Sequence, residues 1–204
     1  MPSPLARAAG PVALAAGLPF AAIDVTRYLV ADPALPRQVA LTDPAARVVL
    51  ALYFAAFCGL LIALAAVHLR TAEQAGGLGA FGFCAALVGT VAMAGNMWFE
   101  GFAVPWLADV APSAILAGGS GTLVVGGLSS YLLFAFGWAA FGLAGWRSHT
   151  FPAVLGAAFV VAGLLGYGAG LPPYGIPVGL AMAGLGWWIT RNPVTAAAGR
   201  EVAC

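Results

Sequence analysis

The chain has 204 residues, of which 62% are hydrophobic and 7% are charged, and its formal net charge is +1. A soluble domain carries about 25% charged residues, so this chain has too few polar side chains to cover a water-facing surface, and its natural solvent is lipid. The near-neutral charge and the lack of a basic patch exclude nucleic acid as a partner. All the basic residues are arginine, which excludes a lysine nucleophile or a lysine Schiff base.

Six apolar segments follow one another along the chain, each near the length of a membrane-spanning helix. They are predicted at roughly 9–31, 45–69, 77–105, 122–146, 152–170 and 174–190. Residues 1–204 are therefore interpreted as a single polytopic domain, an all-α integral membrane protein folded as a compact bundle of about six transmembrane helices. The first segment is longer than the apolar part of a signal peptide, and we expect it to be retained.

Two of the predicted helix starts have a local chemical cause. Thr42 or Asp43 is placed to cap the second segment, and Pro44 would occupy its first helical position, where the missing N–H costs nothing. Thr150 and Pro152 are expected to begin the fifth segment in a similar way.

The distribution of arginine predicts the orientation in the membrane. With six spans, the two termini and two of the loops share one side, which carries Arg7, Arg70, Arg147, Arg191 and Arg200. The opposite loops carry only Arg37 and Arg47. The positive-inside rule then places both termini in the cytoplasm. We expect a multi-pass protein of a bacterial cell membrane, with the lipid bilayer as its main partner.

Glycine is abundant inside the predicted spans, with 28 residues in the chain. Small residues let helix backbones approach one another in lipid, where packing drives association. We interpret these glycines, Gly175, Gly179 and Gly184 among them, as sites of close helix packing. The two halves of the chain show no internal repeat, which argues against an inverted-repeat transporter in one chain, although a homo-oligomer could supply the symmetry.

Two carboxylates fall inside the predicted spans, where ionisable residues are rare and functional by default. Asp24 is expected about 10 Å below the outer end of the first span, and Glu100 about 8 Å below that of the third. Each has a structural alternative. Asp24 can pair with Arg27, three residues further along one helical face, and Glu100 can join Asn96 in a hydrogen-bonded clamp between helices.

Aromatic residues are predicted at the same outer level, around Glu100 and at the ends of the fifth and sixth spans. They are either interfacial anchors or the walls of a cavity, and Tyr131 in the fourth span needs a hydrogen-bond partner in either case. The predicted catalytic residues are Glu100 and Asp24. The predicted substrate-binding residues are Asn96, Trp98, Phe102, Trp106, Tyr131, Tyr167, Tyr174 and Arg27.

These residues favour acid catalysis on an apolar molecule. Burial favours the neutral form of a carboxyl group, and a protonated Glu100 in an aromatic-lined cavity could protonate an alkene or epoxide while the rings stabilise the resulting cation. The sequence therefore predicts a non-metal intramembrane cyclase or isomerase for an isoprenoid- or lipid-like small molecule, with a cavity open to the outer side and Asp24 as counter-acid or base. No metal, nucleotide or flavin motif is present, so no cofactor is expected.

The pentapeptide NMWFE, residues 96–100, resembles the Asn-to-Glu spacing beside a tryptophan in the meroterpenoid members of the integral-membrane terpene cyclases. That family has seven helices and a second acid late in the chain. This sequence departs from both features, since six spans are predicted and no acid lies between Asp109 and Glu201.

Two other functions fit the same sequence. A small proton-coupled carrier would also use buried acids at one level, although such sites normally lie at the membrane midplane. A non-catalytic assembly, immunity or sensor subunit would use the same carboxylates only to hold helices together.

Overall fold

The described part of the chain is helical throughout and contains no strand. The structure, a computed structural model, describes residues 3–30, 43–113, 121–168 and 173–192. Seven α-helices occur in these residues: α1 (Pro4–Arg7), α2 (Ala9–Val30), α3 (Pro44–Trp98), α4 (Val104–Val110), α5 (Gly121–Arg147), α6 (Ala153–Leu165) and α7 (Ile176–Arg191). A π-helix, Phe99–Ala103, joins α3 to α4, and a 3₁₀ turn, Gly166–Gly168, follows α6. The prediction of an all-α fold is confirmed for these residues.

Three stretches of helix are long and apolar enough to cross a membrane: Ala9–Val30, Pro44–Val110 and Gly121–Arg147. Ala153–Gly168 is a shorter apolar helix. These lengths and compositions agree with the interpretation of the chain as a membrane protein.

A single glycine divides α3 into two antiparallel halves. Gly76 has φ 55° and ψ −150°, a conformation that costs glycine little and a residue with a side chain much more. The preceding half, residues 44–75, is α3a, and the following half, residues 77–98, is α3b. The rings of His68 and Phe83 stack across the two halves with centroids 3.9 Å apart. The sequence placed the boundary between its second and third segments across this same glycine.

The two predicted helix starts have different outcomes. Asp43 caps α3 by accepting a hydrogen bond from the Ala45 N–H at 2.9 Å, with Pro44 at the first helical position, so this prediction is confirmed. Pro152 does lie immediately before α6. The Thr150 hydroxyl instead donates to the Gly145 carbonyl at 3.2 Å, so it fastens the turn to the end of α5.

Helices α2 and α7 are antiparallel and meet backbone to backbone at glycines. A Cβ atom at Gly17 would lie 2.5 Å from the Gly179 carbonyl oxygen, and one at Gly186 would lie 2.7 Å from that of Gly10. Residue numbers rise along α2 as they fall along α7, which gives the antiparallel register. Packing this close needs residues without side chains, as expected for helices in lipid.

The other helix pairs follow the same plan. A Cβ at Gly142 of α5 would lie 2.7 Å from the carbonyl oxygen of Gly156 in α6, and Gly89 and Gly137 lie against the backbones of α5 and α3b respectively. The helices follow one another in an up-and-down ring, in which the last member packs against the first. The members, in order, are α2, α3a, α3b, α5, α6 and α7. Gly184, one of the glycines predicted to pack closely, has only a side-chain atom of Leu155 at 3.4 Å.

Replacing Gly17 with alanine should destabilise the bundle, because the new methyl group would overlap backbone atoms of α7 that cannot move independently. Overpacking of this kind costs about 1–3 kcal/mol. Thermal unfolding in detergent micelles, followed by circular dichroism, should show a lower midpoint for Gly17→Ala.

Gly59→Ala is the matched control, because a Cβ at Gly59 would lie 3.7 Å from the Ala16 Cβ, an ordinary contact. This change should leave the midpoint unchanged or raise it, since alanine is the better helix former by about 1 kcal/mol. Equal destabilisation by both variants would contradict the packing described for α2 and α7.

Candidate functional site

Glu100 lies in the π-helical segment, and Pro105 provides the physical reason for that segment. Proline has no N–H to donate to the carbonyl four residues earlier, here that of Gly101, and its ring presses against that carbonyl. The wider π turn, Phe99–Ala103, accommodates this defect within a continuous helix. Gly101 is also pressed close to α3a, since a Cβ there would lie 3.1 Å from the Leu50 carbonyl oxygen. Single π turns occur frequently at functional sites.

Glu100 and Asn96 line a groove between α3b and α5 with a volume of about 450 Å³. Ala92 and Phe99 complete the side formed by α3b and the π segment. The α5 side includes Thr122, Leu123, Gly126, Gly127, Ser130 and Tyr131. The groove therefore combines a carboxyl, an amide and hydroxyl groups with an apolar remainder, and its volume lies within the range of small-molecule sites.

Two polar residues of the α5 wall extend towards the core. The buried Ser130 donates to the Gly127 carbonyl at 2.7 Å. Tyr131 is partly buried and packs against the central aromatic core. Both residues therefore lie between the groove and the interior of the bundle.

Asp24 is fully buried and lies in a separate cluster. Its carboxylate accepts a hydrogen bond from the Tyr53 hydroxyl and one each from the backbone N–H groups of Gly175 and Ile176, both at 3.1 Å. The first N–H groups of a helix have no partner within the helix and carry a partial positive charge. Asp24 of α2 therefore satisfies the start of α7 from the side, and Tyr53 holds the carboxylate from α3a. We call this group of four residues the Asp24 clamp.

The clamp depends on the glycine at position 175 and lies beside Arg27. A Cβ at Gly175 would lie 2.7 Å from the Tyr53 hydroxyl and 3.1 Å from the carboxyl carbon of Asp24, so the clamp requires glycine there. The guanidinium carbon of Arg27 lies 5.4 Å from the centre of the Tyr53 ring, within cation–π range. Arg27 also contributes positive charge near Asp24.

The structure divides the predicted site residues among three places. Glu100, Asn96 and Tyr131 line the groove, and Asp24 and Arg27 belong to the clamp or its surroundings. The remaining aromatic residues have about half of their surface exposed and lie outside the lining of the groove: Trp98, Phe102, Trp106, Tyr167 and Tyr174. In a membrane these exposed positions suit lipid-facing anchors.

Asp109, near the end of α4, has a partner on another helix. Its carboxylate accepts two hydrogen bonds from the Arg47 guanidinium, at 2.7 and 3.0 Å. The pair ties the beginning of α3 to the end of α4 at the same end of the bundle as Glu100.

Sequence reasoning did not identify Tyr53, which is wholly buried. A usable signal was present, since the hydroxyl of a buried tyrosine needs a partner. Gly175 and Pro177 marked the start of a helix with unpartnered N–H groups. The sequence could not show that α2, α3a and the start of α7 are neighbours in space, because that follows only from the three-dimensional structure.

Comparisons with protein-family models, with curated protein sequences and with solved structures found no significant match to this chain.

Asp24→Ala should destabilise the protein strongly, because it removes the acceptor of the Gly175 N–H and of the Tyr53 hydroxyl inside the bundle, while the Ile176 N–H keeps only its hydrogen bond to the Pro173 carbonyl at 3.2 Å. Leaving a buried donor without its acceptor costs about 1–3 kcal/mol. The midpoint of thermal unfolding in detergent should fall by more than for any single exposed substitution.

Asp109→Ala is the comparison variant, because it removes a carboxylate whose side chain is 55% exposed and paired with Arg47. Exposed ion pairs contribute little to stability, so this variant should unfold close to the wild-type midpoint. If Asp24→Ala unfolds there as well, the Asp24 clamp does not hold the helices together.

Proposed function

We propose that this chain is a membrane-embedded enzyme that acts on an apolar, isoprenoid- or lipid-like small molecule by acid catalysis, with Glu100 as the proton donor. The observation that supports this best is the position of Glu100, on a π turn in the wall of a groove of about 450 Å³ that it shares with Asn96, Ser130 and Tyr131. Such a groove offers one transferable proton beside hydrogen-bonding groups that can orient the substrate.

The proposed reaction is an isomerisation or cyclisation that consumes no oxidant or reductant. The Glu100 carboxyl gives its proton to an alkene carbon or an epoxide oxygen, which leaves a carboxylate and an electron-deficient carbon. A second double bond of the substrate supplies the electron pair for the new carbon–carbon bond. The cation then loses a proton to the Glu100 carboxylate, which restores the acid. Phe99 and Tyr131 are the aromatic residues of the groove lining, and an aromatic ring can stabilise positive charge.

Asp24 has a supporting place in this proposal. Three hydrogen-bond donors of the Asp24 clamp surround its carboxyl group. Asp24 would therefore hold α7 in position. Its role as counter-acid or base remains a prediction, which turnover of a substrate by Asp24→Ala would test.

We further propose six membrane spans with both termini in the cytoplasm. The up-and-down order of α2, α3a, α3b, α5, α6 and α7 supports an even number of crossings. Arg7, Arg70, Arg147 and Arg191 then fall at one end of the bundle, where Arg70 donates to the Asn192 carbonyl at 2.7 Å. This arginine-rich end would be cytoplasmic by the positive-inside rule, and the groove would open near the outer surface.

Fusions of alkaline phosphatase test this topology, since the enzyme is active only outside the cytoplasm. A fusion after Val110 should be active and a fusion after Arg147 inactive, because these residues end segments that run in opposite directions. Fusions of green fluorescent protein at the same two points should give the reverse pattern. Activity of both phosphatase fusions would contradict the proposed number of spans.

The Glu100→Gln variant tests whether Glu100 acts as the proton donor. The change keeps the size of the side chain and its hydrogen bonding but removes the transferable proton. Turnover of an acyclic probe, epoxyfarnesol, would be followed by gas chromatography with mass spectrometry. Because a positioned general acid contributes about 10²–10⁴-fold, the rate should fall by at least about 100-fold while the unfolding midpoint stays near that of the wild type.

Glu73→Gln is the matched control, since Glu73 is exposed and lies outside the groove lining. It should turn over the probe at the wild-type rate. Full activity of Glu100→Gln would end the proposal of acid catalysis. Loss of folding in Glu100→Gln would favour the alternative that Glu100 and Asn96 clamp helices in a non-catalytic subunit.

A further inference from the structure

Two kinds of glycine occur along α3b and α5. A Cβ at Gly95, Gly126 or Gly127 would meet no atom of the described residues within 4 Å beyond its own stretch of helix backbone. On the same two helices, Gly89 and Gly137 lie directly against the backbone of the neighbouring helix. Glycine therefore allows α3b and α5 to touch near Gly89 and Gly137, and it leaves the space beside α5 unfilled by described residues near Gly126 and Gly127.

This contrast describes how the groove is formed. Helices α3b and α5 are in contact at Gly89 and Gly137, whereas at Gly126 and Gly127, which line the groove, no described residue fills the space between the two helices. Residues 121–126, the beginning of α5, are all exposed. Leu123 and Val124 form part of this rim, with 52% and 60% of their surface exposed, so the apolar edge of the groove would face the lipid.

The open glycines sit beside the polar part of the same groove. Asn96 and Glu100 provide an amide and a carboxyl on one wall, and Gly126 and Gly127 provide bare backbone on the other. A molecule that fits both needs one hydrogen-bonding oxygen at one end and a narrow apolar chain at the other. Bare backbone favours a narrow chain because every added methyl group would reduce the width of the passage.

We propose that the groove binds a slender, single-chain amphiphile whose polar head meets Asn96 and Glu100 and whose tail lies across Gly126 and Gly127, reaching this site from the bilayer. This inference rests on the proposed function, because it uses the same groove, and it adds the shape of the substrate and the residues that select it. Gly126 and Gly127 are then specificity-determining positions, since their lack of side chains sets the width of the tail passage.

The size and lining of the groove suit a small molecule. Its volume of about 450 Å³ lies within the range of small-molecule sites. The carboxyl of Glu100 and the amide of Asn96 lie in one wall and can hydrogen-bond a polar head, whereas the apolar face of a membrane helix would bring no such group to this wall.

The test uses a farnesol analogue that carries a photoreactive diazirine at the tail end and the native hydroxyl at the head. The full chain in lipid nanodiscs would be labelled with this probe, and labelled peptides would be located by mass spectrometry. Labelling should fall on the beginning of α5 around Gly126 and should be displaced by unlabelled farnesol. Cholesterol, whose fused rings are too wide for the passage, should not displace it.

Gly126→Leu and Gly127→Leu should each reduce labelling by at least about tenfold, the scale on which a methylene group in an apolar pocket discriminates. Neither change should lower the unfolding midpoint, because each new Cβ has no described atom within 4 Å and leucine is a better helix former than glycine. Gly95→Leu is the matched control: Gly95 is equally open but lies outside the groove lining, and labelling should stay at the wild-type level.

The outcomes separate this inference from the proposed function. Wild-type labelling of Gly126→Leu and Gly127→Leu overturns the tail passage, whatever Glu100→Gln does to turnover. Loss of labelling in these variants together with full turnover by Glu100→Gln supports the passage and removes the acid chemistry. If Gly126→Leu instead dissociates a dimer seen by crosslinking without the probe, the groove is an interface between two copies, and the inference is overturned.

Discussion

The helices of this protein are held together by the approach of one backbone to another, because the surrounding lipid gives them no hydrophobic reason to associate. Gly10 and Gly17 meet Gly186 and Gly179 across α2 and α7, and Gly142 meets Gly156 across α5 and α6. Every such contact fixes the register of a helix pair, since a shift of one residue would bring a Cβ into a carbonyl oxygen. Together, these contacts determine how the antiparallel helices of the ring are aligned.

The two polar features of the bundle depend on that packing in opposite ways. The Asp24 clamp exists because α2 and α7 are close enough for a side chain of one to reach the first N–H groups of the other. The groove of Glu100 exists because α3b and α5 lose that closeness beyond Gly89 and Gly137. One carboxylate therefore completes a contact between helices, and the other borders a space between them.

The sequence predicted those features of the fold that depend on composition and local chemistry. Long apolar runs indicate helices in lipid, and the Asp43–Pro44 pair correctly marked the start of α3. The sequence also drew attention to Asp24 and Glu100, since each carboxylate stands out in an apolar run. It could not assign them different surroundings, because the partners of Asp24 lie about 30 and 150 residues away along the chain. The depth of a residue follows from counting along one helix, whereas its neighbours follow from how several helices pack.

The exposed aromatic residues show the same limit. Trp98, Phe102 and Trp106 flank Glu100 in sequence, which suggested walls of a cavity. A helix turns by 100° per residue, so neighbours in sequence point in different directions, and these three side chains lie on exposed surface instead. Phe99, which the sequence did not single out for the site, lines the groove together with Glu100.

The Asp24 clamp also has a consequence for the order in which the helices can assemble. Its acceptor lies in α2, and its two backbone donors lie at the start of α7, about 150 residues further along the chain. During synthesis, the Asp24 carboxyl therefore emerges well before these two partners. Because an unpartnered carboxyl group in lipid is costly, α2 reaches its final hydrogen bonding only after α7 has docked.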